Sequence, residues 1–172
     1  RYHKIRGEPC GIGFSMTDKS ALPAVRGKLT ANAPLAPLVW FKTGGAADWL
    51  FEPKDADDLA DFLAALDPMV PVMIVRDGGF AGVVIRLGKA FAMVERLDDL
   101  SLACGGGASG ILVSSSARDA GIAGLEFLRS IPGTVGGFVR MNGGAYGREV
   151  KDILIECDVI LRDGSRQTLP LD

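Results

Sequence analysis

Residues 131–147 read IPGTVGGFVRMNGGAYG, and this stretch is the most informative part of the chain. It contains six glycines, and Pro132 stiffens its start. Because glycine has no Cβ, such a segment can present consecutive backbone N–H groups to an anion at a helix start, or let a flat ring lie on the backbone. A crowded turn inside a core would explain the same spacing. No Lys-Ser or Lys-Thr follows the glycines, which excludes a Walker phosphate loop.

Glycine is in excess along the whole chain. It accounts for 23 of the 172 residues, about twice its ordinary share of roughly 7%. The glycines are clustered and not periodic, which excludes a collagen-like chain. Hydrophobic residues make up 48% and charged residues 23%, which is typical of a globular protein and excludes intrinsic disorder. The length suits one ordinary domain, or most of one.

Charge, apolar runs and cysteine content exclude several further classes. A formal net charge of −2 argues against a nucleic-acid binder with a basic face. The longest apolar runs, such as residues 70–75, fall far short of the ~20 residues that cross a bilayer, and no leader is visible. Three cysteines without C-x-x-C spacing indicate reduced thiols in a cytoplasmic protein. The single histidine, His3, argues against a Ser-His-Asp triad or a His-ligated metal.

Periodicity predicts the first elements. Residues 48–52 have the pattern of a strand that Pro53 ends. Asp55 is a helix cap with Asp58 at the third helical position, in the manner of a capping box. Apolar residues then recur at helical spacing, namely Leu59, Phe62, Leu63 and Leu66. We therefore expect a strand followed by a helix with one apolar face.

The rest of the chain predicts short strands with irregularly placed helices. We expect strands at 70–75, 83–87, 90–95 and 101–104, with a turn at Gly78-Gly79. We expect a helix at 111–120 that ends at Gly121 and a short helix at 125–128. A hairpin of strands 153–161 and 166–169 would turn at Asp163-Gly164. This order indicates the α+β class and not regular βαβ winding.

Three other glycine clusters allow weaker interpretations. Residues 105–110 match G-x-G-x-x-G before a helix, but the acid expected to end a second parallel strand would be Glu126, which lies in a short helix-like segment. We therefore favour a strand-to-helix turn over a Rossmann motif. Residues 42–47 suit a turn or bulge at least as well as a ligand contact, and residues 76–79 suit a hairpin turn.

Four blocks taken together resemble a known family. They are WFKTGG at 40–45, VRDGG at 75–79, GLEFL at 124–128 leading into the 131–137 segment, and MNGGAYG at 141–147. Their order and spacing are similar to those of the UDP-N-acetylenolpyruvoylglucosamine reductase (MurB) family, from about residue 28 to residue 172. The resemblance implies an FAD-binding domain of the vanillyl-alcohol-oxidase (PCMH) type with two small α+β subdomains around the flavin. It divides the chain into an extension at 1–27 and subdomains at 28–90 and 91–172.

The resemblance also implies a reaction and a site. The reaction is the NADPH-dependent, FAD-mediated reduction of UDP-N-acetylglucosamine enolpyruvate to UDP-N-acetylmuramate, in the cytoplasm, for peptidoglycan synthesis. The hydride chemistry would belong to the cofactor, while the protein positions and shields it. The residues that match the family's flavin-lining segments are Ile131, Pro132, Gly133, Thr134, Gly136, Gly137, Asn142, Gly144, Ala145 and Tyr146. Residues 105–107 match a turn near the cofactor, and Glu126 suits a structural role.

Two departures from the family pattern matter. The family carries a Gly-x-Gly-Ser-Asn loop, whose amides hold the FAD pyrophosphate, just before the VRDGG block, whereas residues 71–76 here run straight through that point. Either the loop is deleted or its residues are missing from the sequence as written. We favour the second, because losing several donors should severely weaken FAD binding. We also expect the family's Tyr-Arg pair, serine proton donor, late glutamate and substrate domain to be absent from these 172 residues.

Two alternatives stay open beside this interpretation. The chain could be part of another flavin oxidoreductase of the same superfamily, although it has no histidine suited to covalent flavin attachment. It could instead be an inactive, cofactor-free fragment or an interaction module, which the missing loop would favour.

Overall fold

The computed structural model describes residues 22–38, 42–74 and 80–171. The strands in these ranges are β1 Lys28–Pro34, β2 Ala46–Glu52, β3 Val72–Ile74, β4 Phe80–Ile85, β5 Val94–Arg96, β6 Leu102–Cys104, β7 Gly144–Ala145, β8 Arg148–Glu149, β9 Glu156–Ile160 and β10 Arg166–Pro170. The α-helices are α1 Ala56–Ala65, α2 Gly110–Ala120 and α3 Val135–Met141. Short 3-10 helices lie at Ala36–Leu38, Lys89–Phe91, Glu126–Ser130 and Val150–Asp152. The predicted α+β class is confirmed.

A four-stranded mixed sheet organises the first half of the described chain. Its strand order is β1-β2-β4-β3, with β1 antiparallel to β2 and with β2 and β3 both parallel to β4. Trp49 and Phe51 of β2 pack with Phe62 of α1 in one buried cluster, and the rings of Phe51 and Phe62 have centroids 4.3 Å apart. Leu50 and Val84 belong to a second buried cluster. Alternate residues of the sheet thus contribute to separate clusters, as the period of a strand requires.

Helix α1 begins as the sequence predicts. The Asp55 carboxylate accepts the backbone N–H of Asp58 at 2.8 Å, and the four periodic apolar residues are all buried. The carboxylate of Asp58 does not complete a capping box. It accepts the backbone N–H groups of Arg26, Gly27 and Lys54 at 2.7, 2.8 and 2.8 Å. Asp58 therefore fastens the segment before β1 to the start of α1.

A separate core forms around α2 and α3. Its buried members are Ala108, Val113, Phe127, Leu128, Phe138 and Val150. Helix α2 matches the predicted helix and ends at Gly121, which adopts φ +75°. The two-stranded ribbons β5–β6 and β7–β8 flank this core and are both antiparallel. This core supports the glycine-rich stretch at residues 131–147.

The hairpin β9–β10 returns to α1. It turns at Gly164, with φ +81°, which confirms the predicted hairpin. Arg162 Nη2 donates to the carbonyls of Asp67 and Val70, both at 3.0 Å, and Arg166 pairs with Asp57 of α1. The last described element thus packs against the first helix. The division of the chain into subdomains at residue 90 stays a prediction.

Some predicted boundaries were wrong. The strand expected at 90–95 is a 3-10 helix, Lys89–Phe91, followed by β5, and the carbonyl of Phe91 accepts the N–H of Gly107 at 2.8 Å. Strand β3 is shorter than the predicted 70–75, and the helix expected at 125–128 is the 3-10 helix Glu126–Ser130. Strand β9 begins later than predicted, at Glu156, because the N–H groups of Ile153 and Leu154 donate back to the Val150 carbonyl of the preceding 3-10 helix. The features predicted at 75–79 lie outside the described residues, as do most of those at 1–27.

Candidate functional site

Two of the glycine clusters pack against each other. The N–H of Val135 donates to the Ala108 carbonyl, and the N–H of Gly136 donates to the Gly106 carbonyl, both at 2.9 Å. A Cβ on Gly136 would lie 3.1 Å from the Gly106 carbonyl oxygen. The 105–107 turn therefore lies directly on the start of α3, and glycine at 136 permits that approach.

These contacts change one interpretation of the glycine-rich stretch. The sequence suggested consecutive N–H groups presented to an anion at a helix start. Two of them, on Val135 and Gly136, donate instead to carbonyls of the protein itself. Gly137 differs from Gly136, because a Cβ there would have no heavy atom within 4 Å. The open side of this turn is therefore at Gly137, and a ligand could approach the backbone there.

Asn142 connects the end of α3 to the following hairpin. It adopts the left-handed region with φ +47°. Its side-chain amide donates to the Glu149 carboxylate at 3.1 Å, and its side-chain oxygen accepts the backbone N–H of Lys151 at 3.0 Å. Asparagine suits this position, because it tolerates the left-handed conformation and satisfies local polar groups.

Tyr146 is held in an unusual conformation at the tip of the β7–β8 hairpin. Its φ is +56°, and 88% of its surface is exposed. A left-handed conformation costs a bulky residue of order 1–3 kcal/mol. Gly147 beside it also has a positive φ, as a two-residue turn between paired strands requires, so the hairpin turn sets this conformation and leaves the ring exposed.

The ten predicted site residues lie along one edge that we call the α3 edge, which runs from the turn before α3 to the β7–β8 hairpin. The start and end of this seven-residue helix are separated by about 10 Å, at 1.5 Å per residue. Two of the ten are half-buried against the second core, Ile131 and Ala145. The others are exposed, namely Pro132, Gly133, Thr134, Gly136, Gly137, Asn142, Gly144 and Tyr146. The assignment of these residues to a cofactor stays a prediction.

An open cavity of about 540 Å³ lies at the hairpin end of the α3 edge. Its lining residues are Gly144, Ala145, Gly147, Arg148, Glu149, Lys151 and Asp152. Sequence reasoning named two of these and missed the charged ones, although the charged run directly follows the glycine motif. A hydrogen bond from Lys151 lowers the pKa of the Glu149 carboxyl, and the same bond raises the pKa of Lys151. Both groups are therefore charged near neutral pH.

Glu126 has the structural role expected of it. Its carboxylate accepts the N–H of Gly124 at 2.9 and 3.1 Å. A Rossmann motif at residues 105–110 is excluded, because the preceding strand β6 pairs only with β5, antiparallel, among the described residues.

Residues 22–38, 42–74 and 80–171 contain no group of three or more His, Cys, Asp or Glu side chains arranged to hold a metal ion. No helix within this described part of the chain has the length and apolar character needed to cross a membrane.

Known proteins are similar to this chain in sequence and in fold. Residues 47–170 match the family model described as "FAD binding domain". The UDP-N-acetylenolpyruvoylglucosamine reductase of Sphingopyxis alaskensis is 76% identical over 164 residues, which cover 91% of this chain and 55% of that protein. The reductase of the same name from Rhizorhabdus wittichii is 74% identical over 165 residues, covering 91% and 54%. The chain thus spans about half the length of these relatives.

A solved structure agrees with these matches. The crystal structure of UDP-N-acetylenolpyruvylglucosamine reductase (MurB) from Thermus caldophilus is similar with a TM-score of 0.64 and 28% identity, over 86% of this chain and 53% of that one. The match to the family model takes in β2 except Ala46, the helices α1, α2 and α3, and the whole α3 edge. The chain therefore belongs to the FAD binding domain family.

Proposed function

We propose that this chain supplies the FAD-binding part of a UDP-N-acetylenolpyruvoylglucosamine reductase. The observation that carries the proposal is the 76% identity to such a reductase across 91% of the chain. The whole reaction would be the NADPH-dependent reduction of UDP-N-acetylglucosamine enolpyruvate to UDP-N-acetylmuramate, a cytoplasmic step of peptidoglycan synthesis. Because the matched region is 55% of that relative, the UDP-sugar would need residues beyond those matched here.

Two features of the α3 edge support a flavin there. Gly137 leaves the backbone open to a flat ring, and the exposed Tyr146 ring stands at the other end of the edge. When bound, FAD supplies hydride transfer, which no side chain of this edge can perform. The role of the edge would be to bind and orient the cofactor.

The fit is weaker for the pyrophosphate. The N–H groups of Val135 and Gly136 are already hydrogen-bonded within the protein. The backbone amides that remain, together with the exposed Thr134 hydroxyl, would have to hold the phosphates. We therefore expect the phosphates to depend on amides outside the Val135–Gly136 turn.

A flavin titration tests the proposal. Adding the purified chain to FAD should change the flavin fluorescence, and flavin absorbance should elute with the protein in gel filtration. Gly137→Val should weaken binding at least tenfold, because its side chain would occupy the ring's approach. Ala65→Val is the control, since Ala65 is exposed at the end of α1 and lies outside the α3 edge. Equal FAD affinity in the two variants would contradict the assignment of the edge.

One observation favours a second candidate, a cofactor-free module. Residues 71–76 run straight through the point where a phosphate-binding loop was expected. A sample that stays colourless after FAD is added, while remaining folded by circular dichroism, would support this candidate and reject the flavin proposal. A sample that binds FAD but gives no NADPH oxidation with the UDP-sugar, even when joined to the rest of its gene product, would indicate another flavin oxidoreductase.

A further inference from the structure

The Glu149 carboxylate joins three consecutive elements at the hairpin end of the α3 edge. It accepts the side-chain amide N–H of Asn142 at 3.1 Å and pairs with the Lys151 ammonium. It also accepts the backbone N–H of Asp152, while the backbone N–H of Glu149 donates to the Asp152 carboxylate at 2.8 Å. One side chain thus links the end of α3, strand β8 and the 3-10 helix that follows it.

Asn142 completes this network from the side of α3. Its side-chain amide donates to Glu149, and its side-chain oxygen accepts the backbone N–H of Lys151 at 3.0 Å. Both polar groups of Asn142 are therefore engaged within the protein, and a hydrogen bond to a cofactor would have to share or replace one of these contacts. This geometry favours a role for Asn142 in holding the hairpin over direct contact with a ligand.

The β7–β8 hairpin needs such support, because each of its strands has only two paired residues and an isolated two-stranded ribbon is marginally stable in water. The β7 side is held by Ala145, which packs against the second core. The β8 side is held by Glu149 and by the N–H of Val150, which donates to the Gly143 carbonyl at 3.0 Å. The orientation of the exposed Tyr146 ring at the tip thus depends on Glu149 through β8.

The Glu149 side chain lies outside the hydrophobic core. It is 44% exposed, and the buried residues around α2 and α3 pack together without it. Removing the carboxylate should therefore loosen the hairpin while the second core stays folded. This difference allows a local effect on the hairpin to be measured separately from a loss of the whole fold.

We propose that Glu149 is a positioning residue for the cofactor, and that it fixes the hairpin so that the Tyr146 ring stands at the end of the α3 edge before FAD arrives. The inference rests on the proposed function, since it needs the flavin to lie along that edge. A hairpin that is already in place loses less conformational freedom when a ligand binds, so the affinity for that ligand is higher. Glu149 affects FAD only through Tyr146.

Amide hydrogen exchange tests the positioning without any cofactor. Glu149→Ala should accelerate exchange of the Lys151 backbone N–H about tenfold, because its acceptor Asn142 loses the anchor that holds it. The N–H of Val113, which donates to the Ser109 carbonyl in α2 at 3.1 Å, should exchange at the parental rate. Equal acceleration at both groups would mean that the whole fold is destabilised and would overturn the proposal, as would an unchanged rate at Lys151.

A titration with FAD tests the consequence for binding. Glu149→Ala should weaken FAD binding about five- to tenfold, as expected for the loss of one or two hydrogen bonds. Glu149→Gln should keep most of the affinity, because its amide oxygen can still accept the Asn142 amide N–H. Glu156→Ala is the matched control, since it removes an exposed glutamate of β9 outside the α3 edge, and it should bind FAD as the parent does.

The same titration in a Tyr146→Ala chain shows whether Glu149 acts through the ring. Adding Glu149→Ala to that chain should weaken FAD binding by less than about twofold further, because the ring that Glu149 positions is gone. The full loss in both backgrounds would mean that Glu149 acts on the flavin in another way and would overturn the proposal. Glu149→Gln that binds as poorly as Glu149→Ala would contradict it as well.

Binding by the parent chain distinguishes this inference from the proposed function. A parent chain that takes up no FAD would reject the proposed function and this inference with it. A parent chain that binds FAD, with the same affinity in Glu149→Ala, would overturn the positioning role of Glu149 alone.

Discussion

The sharpest stability prediction compares Gly136→Val with Gly137→Val. The two residues are adjacent in the first turn of α3, so the change in helix propensity is the same. A Cβ at 136 would lie 3.1 Å from the Gly106 carbonyl oxygen and 3.6 Å from the Gly106 Cα, whereas a Cβ at 137 would meet nothing within 4 Å. Only the substitution at 136 should therefore force the two glycine turns apart.

The magnitude follows from the contacts that would be disturbed. The Val135 and Gly136 hydrogen bonds to residues 108 and 106 are both 2.9 Å, and each contributes about 0.5–1.5 kcal/mol. Overpacking against backbone, which cannot rotate away, adds about 1–3 kcal/mol. Replacing glycine within a helix offsets a few tenths of a kcal/mol. If both hydrogen bonds are lost, these terms lead us to expect that Gly136→Val lowers the free energy of unfolding by about 2–5 kcal/mol.

Urea unfolding followed by circular dichroism measures both variants. Gly137→Val should stay within about 1 kcal/mol of the parent. Equal losses of unfolding free energy in Gly136→Val and Gly137→Val would refute the packing argument, since the contact with Gly106 would then not be the cause of the destabilisation. In a flavin-loaded protein Gly136→Val should also reduce FAD retention, and unchanged flavin content would contradict the placement of the cofactor at this turn.

Two further predictions concern the first core. Asp58→Asn should lower the free energy of unfolding by about 1–3 kcal/mol, because a buried N–H loses its acceptor, whereas Asp61→Asn on the exposed face of α1 should change it by less than about 0.5 kcal/mol. Burial works to raise the pKa of Asp58, but the backbone N–H groups of Arg26, Lys54 and Gly27 outweigh it and lower that pKa. The stabilisation from the Asp58 carboxylate is therefore present above about pH 4 and is lost as the pH falls below it. In urea titrations at different pH, Asp58→Asn should reduce the loss of unfolding free energy in acid. Phe62→Ala, which empties a fully buried site beside the Phe51 ring, should cost about 3–5 kcal/mol by the same measurement, and a loss below about 1 kcal/mol would show that the described core is not formed in solution.

Local sequence signals predicted the elements whose ends are set by neighbouring residues. Asp55 caps α1 and Gly121 ends α2, as expected, because a cap acts through its own backbone neighbourhood. The β9–β10 hairpin was predictable for the same reason, since its turn requires a left-handed residue and Gly164 supplies one.

Long-range contacts were not predictable in this way. Nothing local to Asp58 indicates that its carboxylate binds the N–H groups of Arg26 and Gly27, more than thirty residues earlier. The hydrogen bonds of Arg162 to the carbonyls of Asp67 and Val70, in the segment after α1, likewise join residues more than ninety positions apart. Such contacts depend on which elements the tertiary fold brings together. The spacing of apolar residues along the sequence predicts single helices and strands and does not predict which of them pack together.

The glycines at the start of α3 are there for more than one physical reason, and the sequence pattern indicated only one of them. Residues 131–137 were selected because glycine lets backbone approach a ligand. In the structure Gly136 lets the start of α3 approach the protein's own turn at Gly106, while Gly137 faces open space. Glycine at 136 is therefore required by packing, whereas glycine at 137 leaves room for a ligand. If FAD binds at this turn, its ring must contact the Gly137 side, and its phosphates cannot use the amides of Val135 and Gly136 unless the Gly106 turn moves away. The stability of that turn contact and the affinity for pyrophosphate would then oppose each other, so a variant that loosens the 105–107 turn should gain phosphate affinity as it loses stability.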